Sequence, residues 1–167
     1  MKIGISGTHG TGKTTFAFKL AYQQKLENPG KTVKLITETA DDCPFPIFKK
    51  GYSSSVDAQL WIFSHQMKLE LEASEYDIIV TDRTLYDVIA YTMMVDMDIG
   101  YDMLSLTQYF KYDIIYFSRA TAHNFMYDDK RRNTDSNFRD AIDQRLGELL
   151  LGDSLLEVQE TKIHQLN

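Results

Sequence analysis

The sequence predicts an α/β protein built on a mostly parallel, doubly wound sheet of about five strands, and three observations carry that expectation. Short apolar strand patterns alternate with longer stretches of helical periodicity. Ile78-Ile79-Val80 and Ile114-Ile115 are unbroken apolar runs, as in strands covered on both faces. A glycine-rich turn, Gly7–Gly12, separates the first strand pattern from the first helical one. The 167 residues fall within the size of one domain, so 1–167 is read as a single unit.

Each element has its own signal. Lys2–Ser6 is the first strand. A helix follows from Lys13 to about Leu26, with Phe16, Ala17, Leu20 and Ala21 on one face, and Asn28-Pro29-Gly30 ends it with turn chemistry. Thr32–Thr37 is the second strand, and the polar segment 40–54, with Pro44 and Pro46, is an irregular loop. Ser55 or Ser54 caps a long helix reaching about Ser74, with Val56, Leu60, Phe63, Met67 and Leu71 repeating every three or four residues. Tyr76–Thr81 is the third strand, helices follow at 84–95 and 102–110, and Asp113–Ser118 is the fourth strand. The charged segment 119–135 leads to a helix at about 136–151, with Phe138, Ile142, Leu146 and Leu149 on one side. The last strand is expected at 155–158.

Composition bounds the function. Lys and Arg total 18 against 24 Asp and Glu, a formal charge of −6, which argues against a basic nucleic-acid coat. The single cysteine, Cys43, excludes an internal disulfide and a thiolate metal cluster, and points to a reducing, cytoplasmic setting. No apolar run approaches the roughly 20 residues of a membrane span, and the N-terminus enters a strand pattern directly, with no signal-peptide architecture.

Gly7-Thr8-His9-Gly10-Thr11-Gly12-Lys13-Thr14 fits G-x-x-x-x-G-K-[ST] without a mismatch. At average residue usage the match arises by chance in roughly one chain in 200 of this length. Its place after the first strand and before the first helix makes chance less tenable still. Such a loop curls its backbone N–H groups into an anion nest, and the helix N-terminus adds partial positive charge. Lys13 is expected to bridge the β- and γ-phosphates of ATP, and the Thr14 hydroxyl to ligate Mg²⁺. The nucleotide-binding set is therefore Gly7, Thr8, His9, Gly10, Thr11, Gly12, Lys13, Thr14 and Thr15. His9 occupies a free position of the loop and is read as a local hydrogen-bonding residue.

The third strand delivers Thr81-Asp82-Arg83-Thr84 beside this loop. Asp82 suits the Mg²⁺ shell, so Thr14 and Asp82 form the expected metal set. Water-activating NTPases of the motor type place Glu after this Asp, whereas here Arg83 follows, and arginine binds phosphate rather than activating water. The GTPase signatures D-x-x-G and N-K-x-D are absent. A bound acceptor attacking the γ-phosphate is therefore favoured over water.

With these residues in place, the chain resembles the nucleoside and nucleotide kinase branch of P-loop proteins. It looks most like the AAA-type kinase-like ATPases that include the ribosylnicotinamide kinase domain. The resemblance covers about residues 1–150 and rests on the Gly7–Thr14 loop, Glu38 at the second strand's end, the Gln59–Leu71 helix and Asp82-Arg83. It implies a three-layer P-loop NTPase fold with a lid at about 119–135. It also implies a phosphotransferase acting on a nucleoside, nucleotide or nucleoside-like acceptor. Glu38 or Asp82 would take the acceptor's proton, Arg83 would fix acceptor or phosphate, and Arg131 and Arg132 would close from the lid, with Arg119 at its start. Two alternatives stay open: a kinase acting on a hydroxymethylated pyrimidine base in DNA, and a non-catalytic ATP-binding regulatory module. No membrane partner is expected, and a homodimer is compatible with the sequence. Among weaker candidates, Asp96-Met97-Asp98 reads as a polar loop. Trp61, Phe63, Tyr86 and Tyr91 read as core, and Arg139 and Arg145 as surface charges. Phe45, Phe48 and Tyr52 mark a loop on the acceptor side.

Overall fold

The computed structural model describes residues 1–37, 40–47, 54–120, 136–152 and 161–166. Its elements are β1 (Lys2–Ser6), α1 (Lys13–Glu27), β2 (Val33–Ile36), α2 (Val56–Glu72), β3 (Ile78–Asp82), α3 (Leu85–Met93), α4 (Met97–Leu106), β4 (Ile114–Ser118), α5 (Ser136–Leu151) and β5 (Lys162–Leu166). Single 3₁₀ turns occupy Ala40–Asp42 and Thr107–Tyr109. The five strands form one parallel sheet in the order β2-β3-β1-β4-β5.

Alternating side chains of the central strands reach opposite faces, so the sheet is a middle layer. On one face Ile3, Ile5, Ile78 and Val80 pack beneath Ala17 and Leu20 of α1. On the other, Ile115 and Phe117 join buried side chains of α2, α3, α4 and α5. The expected three-layer architecture is what forms. The register sets Ile5 level with Asp82 on one side and Tyr116 on the other. The chain leaving β1 is thereby flanked by the ends of β3 and β4.

Three elements depart from expectation. The buried side chains of α2 are Ala58, Gln59, Ile62, Phe63, Gln66 and Glu70, while Leu60 and Leu71 are 46% and 60% exposed. The apolar repeat misplaces this face because the polar side chains find buried partners, and a satisfied polar group can be buried where an unsatisfied one cannot. Helix α4 begins at Met97 rather than at 102, because the Asp96 carboxylate caps it, accepting from the N–H groups of Asp98 and Ile99 at 3.1 Å each. That cap accounts for the Asp96-Met97-Asp98 cluster. The fifth strand is Lys162–Leu166, and the segment expected as a strand, 155–158, lies outside the described residues. At the sheet edge β5 buries neither face fully, so no apolar run announces it.

At the entry to β3, the Asp77 carboxylate accepts from both the N–H and the hydroxyl of Thr32 at 2.8 Å, tying the starts of β2 and β3. These bonds, the Thr32 N–H first, hold its carboxyl below the usual value of 3.8. A lowered folded-state value stabilises the fold above 3.8, and that contribution is lost as pH falls through the folded value. Asp77→Ala is therefore expected to lower the melting temperature at pH 7. Melts repeated down to about pH 3 should show the gap to wild type narrowing.

Candidate active site

The loop between β1 and α1 owes its path to glycine. Gly10 and Gly12 have φ of 79° and 78°, and Gly12 is the left-handed cap from which α1 starts. Gly7, at φ 145°, lies so close to the Ser118 carbonyl that a β-carbon would collide with it. The turn brings the first residues of α1 back over the strand ends. Lys13 is buried there, and its Nζ donates to the Thr8 carbonyl at 2.6 Å. The Thr11 hydroxyl donates to the same carbonyl at 3.0 Å, and the Ser118 hydroxyl to the Thr11 carbonyl at 3.3 Å. Thr14 and Thr15 follow, exposed on the first turn of α1. His9 is buried, with Nδ1 3.2 Å from the Tyr91 hydroxyl and 3.4 Å from the Thr8 hydroxyl. The Thr8 contact is local as expected, and the Tyr91 contact reaches across to α3.

The loop is pinned by a residue that the sequence reading missed. Asp87, fully buried on the first turn of α3, accepts from the Gly7 N–H at 2.9 Å. Its other oxygen accepts from the N–H and hydroxyl of Thr84 at 2.8 and 2.7 Å. The signal was present as Thr84-Leu85-Tyr86-Asp87, a helix-start pattern of hydroxyl and acid three residues apart before an apolar run.

Asp82 ends β3 at 1% exposure, beside the root of the loop, and the Arg83 N–H donates to the Ile5 carbonyl at 3.0 Å. Arg83 has φ 88°, and among the described residues no other non-glycine has a positive φ. Such a conformation costs about 1–3 kcal/mol and persists only where its surroundings impose it. The Arg83 guanidinium lies 5.6 Å from the centre of the Tyr91 ring, which is in turn 6.0 Å from that of Phe138. Tyr91, expected as core, is half-buried and touches the loop, the end of β3 and α5 together. Phe63 and Tyr86 are core as expected, and Trp61 is half-buried against His65. Burial first, and the nearby Glu70 charge, push the Tyr86 hydroxyl above its usual 10, so it stays protonated at neutral pH.

The remaining described arginines have partners of their own. Arg119 Nε pairs with Asp143 of α5 at 3.0 Å, and the same carboxylate accepts from the Ala120 N–H at 2.7 Å. Arg139 is not an open surface charge: its side chain is 12% exposed and pairs with Asp140 at 3.3 Å. Arg145 pairs with Glu148 on the surface, as expected. Glu38, Arg131, Arg132, Phe48 and Tyr52 lie outside the described residues, while Phe45 is exposed. Among the described residues no three His, Cys, Asp or Glu gather as a metal cluster. The Thr14 hydroxyl and Asp82 carboxylate are hard oxygen donors that suit Mg²⁺, an ion that keeps waters and substrate phosphates in its shell.

A glycine-turned loop with a buried lysine, set against an Asp-Arg pair on the adjoining parallel strand, defines a P-loop protein. A family model described as "AAA domain" matches residues 2–164, and the chain belongs to that family. Among solved structures it is similar to deoxyadenosine kinase from M. mycoides with the products dCMP and a flexible dCDP bound. That match has a TM-score of 0.73 at 16% identity, covering 100% of this chain and 90% of the other. The same enzyme with bound dATP matches at 0.68 and 17% identity, again over 100% and 90%. Thymidylate kinase from Ehrlichia chaffeensis matches at 0.68 and 16% identity, over 100% and 92%. At these identities the likeness is one of fold. Comparison with curated proteins gives no match.

Removing the pin should be costly. Asp87→Ala leaves the buried N–H groups of Gly7 and Thr84 without their acceptor, and the expected loss is about 2–4 kcal/mol of unfolding free energy in urea titrations. Asp87→Asn, which keeps one carbonyl oxygen, should lose less.

Proposed function

We propose that the protein is a Mg²⁺-dependent kinase that transfers the γ-phosphate of ATP to a nucleoside, nucleotide or nucleoside-like acceptor. The observation that carries this reading is the placement of Arg83, held at a strained φ beside the Lys13 loop, where arginine can bind phosphate but cannot activate water. The nucleotides named with the M. mycoides enzyme favour a small-molecule acceptor over a base within DNA. No helix among the described residues is long and apolar enough to cross a membrane.

In this reading the backbone of Gly7–Thr14 and the N-terminus of α1 receive the triphosphate, and Lys13 Nζ turns from the Thr8 carbonyl to the β- and γ-phosphate oxygens. Thr14 and Asp82 would hold Mg²⁺, which when bound offsets charge on the phosphates. The acceptor's attacking oxygen, a hydroxyl or a phosphate oxygen, bonds to the γ-phosphorus, and the bond from that phosphorus to the bridging oxygen of ADP breaks. Where the attacking group is a hydroxyl, its proton passes to a carboxylate, Asp82 or Glu38. Arg83 orients the acceptor or the transferring phosphate by its forked donors, and Arg131 and Arg132 close over the phosphates from a lid at 119–135.

The test is transfer of radiolabelled γ-phosphate to nucleosides, nucleoside monophosphates, ribosylnicotinamide and modified DNA. Lys13→Ala is expected to lower turnover by about 100-fold or more while the fold is kept; unchanged turnover would sink the phosphate-loop assignment. Arg83→Ala should lower acceptor kcat/KM by about 100-fold and move ATP affinity by no more than about threefold. A fall in ATP affinity alone would put Arg83 on the donor side. ATP binding without transfer to any acceptor would favour a regulatory module.

A further inference from the structure

The two peptide groups that follow Arg83, on either side of Thr84, are gripped by one buried hydrogen-bond network that the transfer chemistry does not itself require. On one side the Arg83 carbonyl accepts from the Thr81 hydroxyl at 2.7 Å. That hydroxyl accepts from Gln66 Nε2 at 2.9 Å, and the second hydrogen of the same nitrogen goes to Glu70 Oε1 at 3.0 Å. On the other side the Leu85 N–H donates to the Tyr112 hydroxyl at 3.0 Å, which donates to Glu70 Oε1 at 2.6 Å. Glu70 Oε2 accepts from Lys2 Nζ at 2.8 Å, and that ammonium lies 4.8 Å from the centre of the Tyr112 ring. Gln66, Glu70, Thr81 and Tyr112 are all buried, and the Glu70 side chain has no exposed surface.

The donors leave one consistent arrangement. Thr81 has one hydroxyl hydrogen, and with Gln66 donating to its oxygen that hydrogen is free for the Arg83 carbonyl. Tyr112 has one hydrogen, given to Glu70, so its lone pair receives Leu85 N–H. Two peptide groups, one on each side of Thr84, are thus fixed in direction from a single carboxylate. Gly4 makes room for this, since a β-carbon there would collide with Thr84 and crowd Tyr112. Apolar packing could fill the same volume, but it would not specify the direction of a carbonyl or an N–H. What needs specifying here is a left-handed arginine, a conformation that an L-residue abandons when its neighbours allow.

We propose that Thr81, backed by Gln66, Glu70 and Tyr112, is a positioning residue that holds Arg83 left-handed and so aims its guanidinium at the reacting groups. The effect on turnover rests on the kinase reading above, and the effect on Arg83 itself does not. Thr81→Val keeps the shape and removes both hydrogen bonds of the hydroxyl. With folding confirmed by melting and ATP affinity within twofold of wild type, it is expected to lower acceptor kcat/KM by 10- to 100-fold. Thr81→Ser, which keeps the hydroxyl, should restore most of the loss. In an Arg83→Ala background Thr81→Val should cause less than a twofold further loss, because the group it positions is gone. Wild-type turnover in Thr81→Val, or losses that multiply in the double variant, would overturn the proposal. Should Thr81→Val fail to fold, Tyr112→Phe opens the network from the Leu85 side and is read in the same way. A crystal structure of either variant needs no turnover: Arg83 leaving positive φ supports the network's role, and Arg83 unmoved with its guanidinium in place overturns it. Inactivity of the wild type on every acceptor would count against the kinase reading, and the structure of the variant would then decide the network's role alone.

Discussion

The Asp87 carboxylate is the junction on which the site depends. One oxygen holds the first N–H of the phosphate loop and the other holds Thr84 at the start of α3. β1 and β3 are neighbours in the sheet, but hydrogen bonds between strands do not determine what happens beyond their ends. After Ser6 and Asp82 the chain could leave in many directions, and ordering it costs about 1–2 kcal/mol per residue of backbone entropy. A single buried carboxylate bonded to both exits removes that freedom for the two segments together. Gly7 can then lie against the Ser118 carbonyl, and Arg83 can turn left-handed where its N–H meets Ile5. The loop and the Asp-Arg pair are therefore bonded into one frame.

Beneath that frame the interior is unusually polar. Gln59, Gln66 and Glu70 lie on the buried side of α2, where a sequence tuned for stability alone would place leucine. Gln59 donates to the Ser54 hydroxyl at 2.7 Å, at the end of the loop that leads into α2. Gln66 and Glu70 serve β3 and Tyr112. Burial, with Glu70 beside it, pushes the Tyr112 hydroxyl well above its ordinary value, so the donor in this network keeps its proton. Polar groups so placed add little net stability, and their use is to make one arrangement of the strand ends better than its alternatives.

That division explains what could be read from the sequence. Unbroken apolar runs disclosed β3 and β4, and Gly7–Thr14 disclosed the loop, because burial on two faces and left-handed turns each restrict residue choice locally. The apolar face of α5 was legible in the same way: Ile142, Leu146 and Leu149 are buried as their spacing predicts. The buried face of α2 was not, since the partners that make Gln66 and Glu70 tolerable come from positions 81 and 112, and no helical period encodes them. Asp87 lay between these cases. Its cap pattern with Thr84 was visible, but its bond to Gly7, 80 residues away, was not. The left-handed Arg83 had no local signal, because arginine is not a residue that announces a positive φ.

The same frame sorts the cations near the strand ends, which a net charge of −6 could not. Arg119 is joined to the Asp143 carboxylate, which also holds the Ala120 N–H, and its guanidinium lies 5.4 Å from the centre of the Phe117 ring. Moving it onto a phosphate would strand a largely buried carboxylate, a cost that the new contact would have to exceed. Lys13 Nζ, by contrast, donates to a neutral acceptor, the Thr8 carbonyl, within the loop itself. The Arg83 guanidinium lies beside the face of the Tyr91 ring, a contact whose attraction is modest. Through the Asp143 carboxylate Arg119 joins the end of β4 to α5.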